Sequence, residues 1–189
     1  QDTRAMYDFR PGRVDAQTAD ITEWRRCLRF VLNEQDDIVS VGDPQGELRL
    51  REALVGYCYK ARGVSASPDT IFIASGTQQL LALLCRIIGR GKRAVMEMPG
   101  FVQAERIFSD SGWEVQLIDK DRGDGIADEL KKREADMFVD ITSNRPQISL
   151  SRLFRRRKRI TEWARQNDKY LLEDDYNGEL RYISRQIPS

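Results

Sequence analysis

The sequence predicts an α/β fold in which strands and helices alternate around a mostly parallel central sheet. Three observations predict it. Short runs of β-branched and aromatic residues, such as Thr70-Ile71-Phe72-Ile73-Ala74 between Pro68 and Gly76, read as strands. Each run is followed by a stretch with apolar residues at helical spacing, and strands alternating with helices make βαβ units. The 189 residues are 40% hydrophobic and 32% charged, which is enough for a real core in a soluble domain.

The elements follow in order. After an irregular entry through Arg10-Pro11-Gly12, the spacing predicts helices over 21–33 and 46–61, the second carrying Leu48, Leu50, Ala53, Leu54 and Tyr57. The Thr70–Ala74 strand leads to a helix over 78–88. The pattern then repeats three times: strand 94–98 and helix 102–111, strand 113–118 and a polar helical stretch, strand 137–142 and a long helix over 150–167. Leu171 and Leu172 open a last strand. In such sheets ligands gather outside the carboxyl ends of the strands. No internal repeat, low-complexity tract or linker interrupts the order.

Composition excludes several classes of function. With 31 basic and 30 acidic residues the net charge is +1, so no global field draws this chain to nucleic acid or to an anionic membrane. The absence of His removes His-based acid–base and triad chemistry and leaves zinc without its usual ligands. Cys27, Cys58 and Cys85 are odd in number and scattered through helical patterns, as expected of reduced thiols in a cytoplasmic protein. Neither a membrane-spanning run nor a signal-peptide core is expected.

The candidate functional residues lie where predicted strands end. Ser75-Gly76-Thr77-Gln78-Gln79 closes one strand and opens a helix, placing unpaired N–H groups, a hydroxyl and an amide where a phosphate would sit; simple helix capping is the alternative. Met98-Pro99-Gly100-Phe101 puts an aromatic ring at the mouth of the next strand, either to stack on a flat ligand or to pack into the core. Asn144, after Ile141-Thr142-Ser143, serves either as a turn residue or as a donor to a phenolate oxygen. The apolar run Leu171-Leu172 stops on Glu173-Asp174-Asp175-Tyr176. An ionised Asp174 there would hold a proton on a pyridine nitrogen, the feature that lets pyridoxal 5'-phosphate act as an electron sink. Loop solvation or capping is the alternative, and burial of two acids would call for a nearby cation.

Taken together, Gly-Asp-Pro-Gln-Gly, Ser-Gly-Thr-Gln-Gln, Pro-Gly-Phe, Thr-Ser-Asn and Glu-Asp-Asp-Tyr-Asn-Gly-Glu-Leu-Arg-Tyr come in an order that resembles a known family. The chain is similar to the aminotransferase-like domain of MocR-type regulators in the GntR family, over nearly its whole length. The resemblance implies part of a fold-type-I aminotransferase large domain, with residues 1–66 as an N-terminal segment and helices and 67–189 as the first part of the cofactor-binding domain. It implies that Gly76, Thr77 and Gln78 hold the phosphate of pyridoxal 5'-phosphate and that Phe101 stacks on its ring. Asp174 would meet the ring nitrogen, and Asn144 and Tyr176 the phenolic oxygen. It further implies a cytoplasmic homodimer that takes an amino compound or the cofactor as effector and binds DNA through a winged helix outside this chain. No catalytic residue is expected here, because the family's Schiff-base Lys would lie beyond Ser189. The alternatives are a true aminotransferase acting on an amino acid, and a cofactor-free interaction domain.

The chain departs from the family pattern in places. Val41 stands where the family usually has Tyr, Phe101 replaces the commoner Tyr, and Arg145-Pro146-Gln147 replaces Pro-Thr-Gly after Asn144. The run Arg152 to Arg159 is the one basic cluster, read either as a DNA-facing patch or as a solvated helix face paired with acids.

Overall fold

A computed structural model describes residues 20–33, 39–119, 125–141 and 149–175. The chain divides into two compact units, Gln1–Pro44 and Gln45–Ser189. The first contains helix α1, Ile21–Asn33, in which Asp20 Oδ1 accepts from the Glu23 N–H at 3.2 Å and caps the first turn.

The second unit carries the sheet. Helix α2, Leu48–Arg62, ends at Gly63 in the left-handed conformation (φ 70°), where the chain turns out of the helix at no steric cost. A 3-10 turn over Pro68–Thr70 and an extended stretch lead to helix α3, Thr77–Ile88. Then follow β1 (Arg93–Met98), α4 (Val102–Asp110), β2 (Glu114–Asp119), α5 (Ile126–Lys132), β3 (Met137–Ile141), α6 (Leu150–Asn167) and β4 (Tyr170–Asp174). The four strands are parallel throughout, in the order β2-β1-β3-β4. Every strand therefore ends at the same edge, as expected of βαβ units.

Period-two alternation sends strand side chains into two apolar layers. Ala94, Met96, Met137 and Val139 pack with Leu81, Cys85, Ala104, Phe108 and Trp113 on the side of α3 and α4. Val95, Phe138 and Ile118 pack with Ile126, Leu130, Ile160 and Trp163 on the side of α5 and α6. Both faces are covered, which explains why the central strands read as continuous apolar runs.

One expected element differs. Thr70–Ala74 is not a strand of this sheet: Thr70 closes the 3-10 turn, its hydroxyl accepting from the Ser67 N–H at 3.0 Å and donating to the Ser67 carbonyl at 2.9 Å. On either side of Thr70 the backbone is bonded by Gln45, whose Nε2 donates to the carbonyls of Asp69 (2.8 Å) and Ile71 (2.9 Å) and whose main-chain carbonyl accepts from the Ile73 N–H (2.9 Å). Strand propensity reports fit to a pleated surface, and here a side-chain amide has taken groups that a ladder would use. The other predicted helices and strands stand within a residue or two of their expected bounds, Thr142 lying outside the described residues. No helix among the described residues is long and apolar enough to cross a membrane.

Candidate functional site

One end of the site is built at the start of α3. Gly76 has φ 149° and ψ 168°, a backbone conformation that side chains disfavour, and it turns the extended stretch into the helix. Ser75 donates from its N–H (3.0 Å) and its hydroxyl (2.6 Å) to Gln79 Oε1, which ties the residue before the N-cap to the first turn of the helix. The Gly76 carbonyl accepts from the N–H groups of Gln79 (3.1 Å) and Leu80 (3.3 Å). The N–H groups of Thr77 and Gln78 come before the first N–H that finds an acceptor within the helix, and the helix dipole adds to their attraction for an anion. Ser75 through Gln79, with Phe101, line an open hollow of about 520 Å³.

Phe101 follows β1 across Pro99 and Gly100. A Cβ on Gly100 would lie 2.2 Å from the Glu97 carbonyl oxygen, so the loop folds back on the strand end as only glycine allows. Gly100→Ala is therefore expected to cost about 1–3 kcal/mol, read from denaturant unfolding; a loss below about 0.5 kcal/mol would contradict this crowding. The core-packing reading of the aromatic holds, and the ring is also placed at the hollow. Phe101 packs on the core between α3 and α4 while also bordering the hollow.

A second, apolar pocket of about 370 Å³ adjoins the first; Thr77, Leu80, Leu84, Phe101, Leu172 and Asp174 are among its lining residues. Thr77 and Phe101 border both hollows, which makes them one cleft with N–H donors at one end and a carboxylate at the other. No Lys is among the described residues that line it.

The three acids that end β4 and begin the loop have three destinations. Glu173 accepts from Arg157 Nη2 at 2.6 Å, and Asp175 pairs with Arg62 of α2. Asp174 turns to the cleft, half-buried, with no cation paired to it among the described residues. Burial pushes its carboxyl above the ordinary aspartate range. Two cations, Arg157 and Arg62, thus serve the neighbours of Asp174. Gly76, Thr77, Gln78, Phe101 and Asp174 share the cleft, while Asn144 and Tyr176 lie outside the described residues.

The basic run divides between a solvated, acid-paired helix face, as one of its two readings expected, and one buried member, Arg156. Arg156 is 1% exposed and bonds Asp140 and Glu97, both also buried. Arg157 reaches Glu173, and Arg152, Arg155, Lys158 and Arg159 are exposed. Sequence reasoning missed Arg156, Glu97, Asp140 and Arg62. A signal for Arg156 was present: it stands three residues after Leu153 and four before Ile160, inside the apolar stripe of α6.

No protein-family model matches the chain. Among curated proteins it is 32% identical over 190 residues to the HTH-type transcriptional regulator YhdI of Bacillus subtilis, covering 100% of this chain and 40% of that protein. It is 27% identical over 184 residues to the probable rhizopine catabolism regulatory protein MocR of Rhizobium meliloti, covering 96% of this chain and 37% of that one. The HTH-type pyridoxine biosynthesis transcriptional regulator PdxR of Corynebacterium glutamicum is 27% identical over 183 residues, with 97% and 40% covered. The chain spans about 40% of the length of these relatives. Among solved structures, an archaeal alanine:glyoxylate aminotransferase superposes with a TM-score of 0.78 at 23% identity, over 92% of this chain and 45% of that one. A Pyrococcus horikoshii kynurenine aminotransferase, solved with PMP, gives 0.73 at 25% identity, over 89% and 44%. Along its whole length the chain is thus similar to part of these HTH-type regulators, MocR among them, and its parallel sheet has the fold of the aminotransferases on which it superposes.

Proposed function

We propose that this chain supplies one part of a pyridoxal 5'-phosphate site in a transcriptional regulator. The cofactor's phosphate would rest on the N–H groups and hydroxyl at Gly76, Thr77 and Gln78, its ring against Phe101, and its ring nitrogen on Asp174. Asn144 and Tyr176 would meet the phenolic oxygen. The observation that carries this reading is that Thr77, Phe101 and Asp174 line one pocket, with Asp174 half-buried and lacking a cation among the described residues. A protonated pyridine nitrogen is the partner such a carboxylate needs. When bound, the cofactor supplies an electron sink for a substrate's amino-bearing carbon.

The regulator as a whole would be a cytoplasmic homodimer that senses an amino compound, or the cofactor itself, and carries its DNA-binding helices in a winged-helix domain. The naming of its relatives as HTH-type regulators supports that reading, and the relative named for pyridoxine biosynthesis supports the cofactor as an effector. An effector would switch such a protein by binding its two conformations unequally.

The test is an absorbance titration of the intact protein with pyridoxal 5'-phosphate and, separately, with pyridoxal. The phosphorylated form is expected to give a saturable band near the visible edge. Pyridoxal, without the anion for α3, is expected to bind on the order of 100-fold more weakly, from the loss of charge-assisted bonds. Absence of a band with either would overturn the proposal, and equal affinities would remove the role given to Gly76, Thr77 and Gln78.

A further inference from the structure

The face of the sheet that meets α6 changes character at its carboxyl edge. In the layer below, Val95, Phe138 and Leu171 stand side by side on β1, β3 and β4 and contribute to the apolar core. Two residues further along each strand the same face carries Glu97, Asp140 and Glu173. Three acids thus form a row across three adjacent strands. Helix α6 answers them from the middle of its length. Arg156 Nη1 reaches both oxygens of Asp140, at 3.0 and 3.2 Å, and its Nη2 reaches Glu97 Oε1 at 3.0 Å, while Arg157 takes Glu173. The Arg156 guanidinium also lies over the Phe138 ring, 5.7 Å from its centroid.

Stability alone is a poor reason for this arrangement. A buried ion pair is often matched or surpassed by apolar residues of like volume, and an apolar residue at 156 would simply have continued the stripe of Leu153 and Ile160. The guanidinium is not even fully satisfied, since its Nε has no acceptor among the described residues. What an apolar contact lacks is direction. A planar fork that grips two carboxylates fixes the height of one strand end against the next.

The strand ends so fixed are those that carry the cleft. Glu97 lies just before the tight loop to Phe101, in which Gly100 leaves no room for a Cβ beside the Glu97 carbonyl; Glu173 immediately precedes Asp174; and Val139, next to Asp140, lines the apolar pocket. We infer that Arg156 is a positioning residue: through Glu97 and Asp140 it sets the mutual register of the β1 and β3 ends, and so the plane in which Phe101 meets a ligand. The inference rests on the proposed cofactor site and extends it to a residue that touches no ligand.

The experiment compares the intact wild-type protein with Arg156→Lys, which keeps the charge and loses the fork. Two readouts are taken in protein shown to be folded without cofactor: the dissociation constant for pyridoxal 5'-phosphate, and the visible circular dichroism of the saturated complex. The dichroism reports how the ring is held once every site is filled, which a loss of stability alone would not move. The expected result is at least a ~10-fold weaker affinity, since small misplacements in a preorganised site are felt strongly, with an altered dichroic band at saturation. If Arg156→Lys does not fold, Asp140→Asn, which preserves size and an acceptor oxygen, is expected to show the same two changes. A folded variant with wild-type affinity and wild-type dichroism overturns the inference. Absence of any cofactor band in the wild type overturns the proposed function itself, so the two failures are distinguishable.

Discussion

Asp174→Asn is expected to weaken the binding of pyridoxal 5'-phosphate by about 2 kcal/mol, or ~30-fold, while Asp175→Asn stays within about 3-fold of wild type. The two residues are neighbours and chemically identical, so the contrast isolates geometry. Asp175 is committed to Arg62, in a partly exposed pair of the kind whose loss costs up to about 1 kcal/mol of stability and nothing at the ligand. Asp174 lines the cleft, and among the described residues no cation is paired with it. Its raised pKa fixes the sign of two pH effects. In the cofactor-free protein the folded state holds the Asp174 proton more tightly than the unfolded state does. The stability contribution of this group therefore falls as pH rises from the ordinary aspartate range through the raised value. Asp174→Asn removes that cost, so its melting temperature at neutral pH is expected to equal or exceed wild type even as the cofactor is lost. Cofactor binding runs the other way and strengthens as the carboxyl ionises. Equal effects of the two Asn variants on binding would contradict the assignment.

Arg156→Met is expected to be the more damaging change to the fold, by about 3–5 kcal/mol in denaturant unfolding, because it strands charge in the interior. The residue is 1% exposed, and its partners Asp140 and Glu97 are 2% and 6% exposed, so water has little access to replace the guanidinium. The combined variant Arg156→Met with Asp140→Asn and Glu97→Gln is expected to recover part of the loss, since the stranded charges are then gone. A loss below about 1 kcal/mol in the single variant would show that the network is more hydrated than its burial implies.

These two residues mark where the sequence was readable and where it was not. The strands and helices from Arg93 to Asp174 were legible because both faces of the sheet are covered and the apolar runs that result are unmistakable. The cleft residues Gly76, Phe101 and Asp174 were legible because each stands at a junction between elements, where the residue type has few local uses. Thr70–Ala74 misled because its composition is that of a strand while its backbone is bonded by Gln45, a residue far earlier in the chain. Within the basic run Arg156 misled for a related reason. Charge in one dimension reads as surface, and only the register of β1 against β3 reveals that Glu97 and Asp140 wait beneath Arg156. Likewise the destinations of Glu173, Asp174 and Asp175 follow from period-two alternation at the end of β4, together with the places of Arg157 and Arg62, which the run of acids does not disclose.

The most direct measurement is a crystal structure of the intact protein grown with pyridoxal 5'-phosphate. The phosphate is expected on the N–H groups of Thr77 and Gln78, the ring against Phe101, and an Asp174 carboxylate oxygen within hydrogen-bond distance of the ring nitrogen. A cofactor seated elsewhere, or one whose ring nitrogen meets another group while Asp174 stays apart from it, would contradict the proposed site.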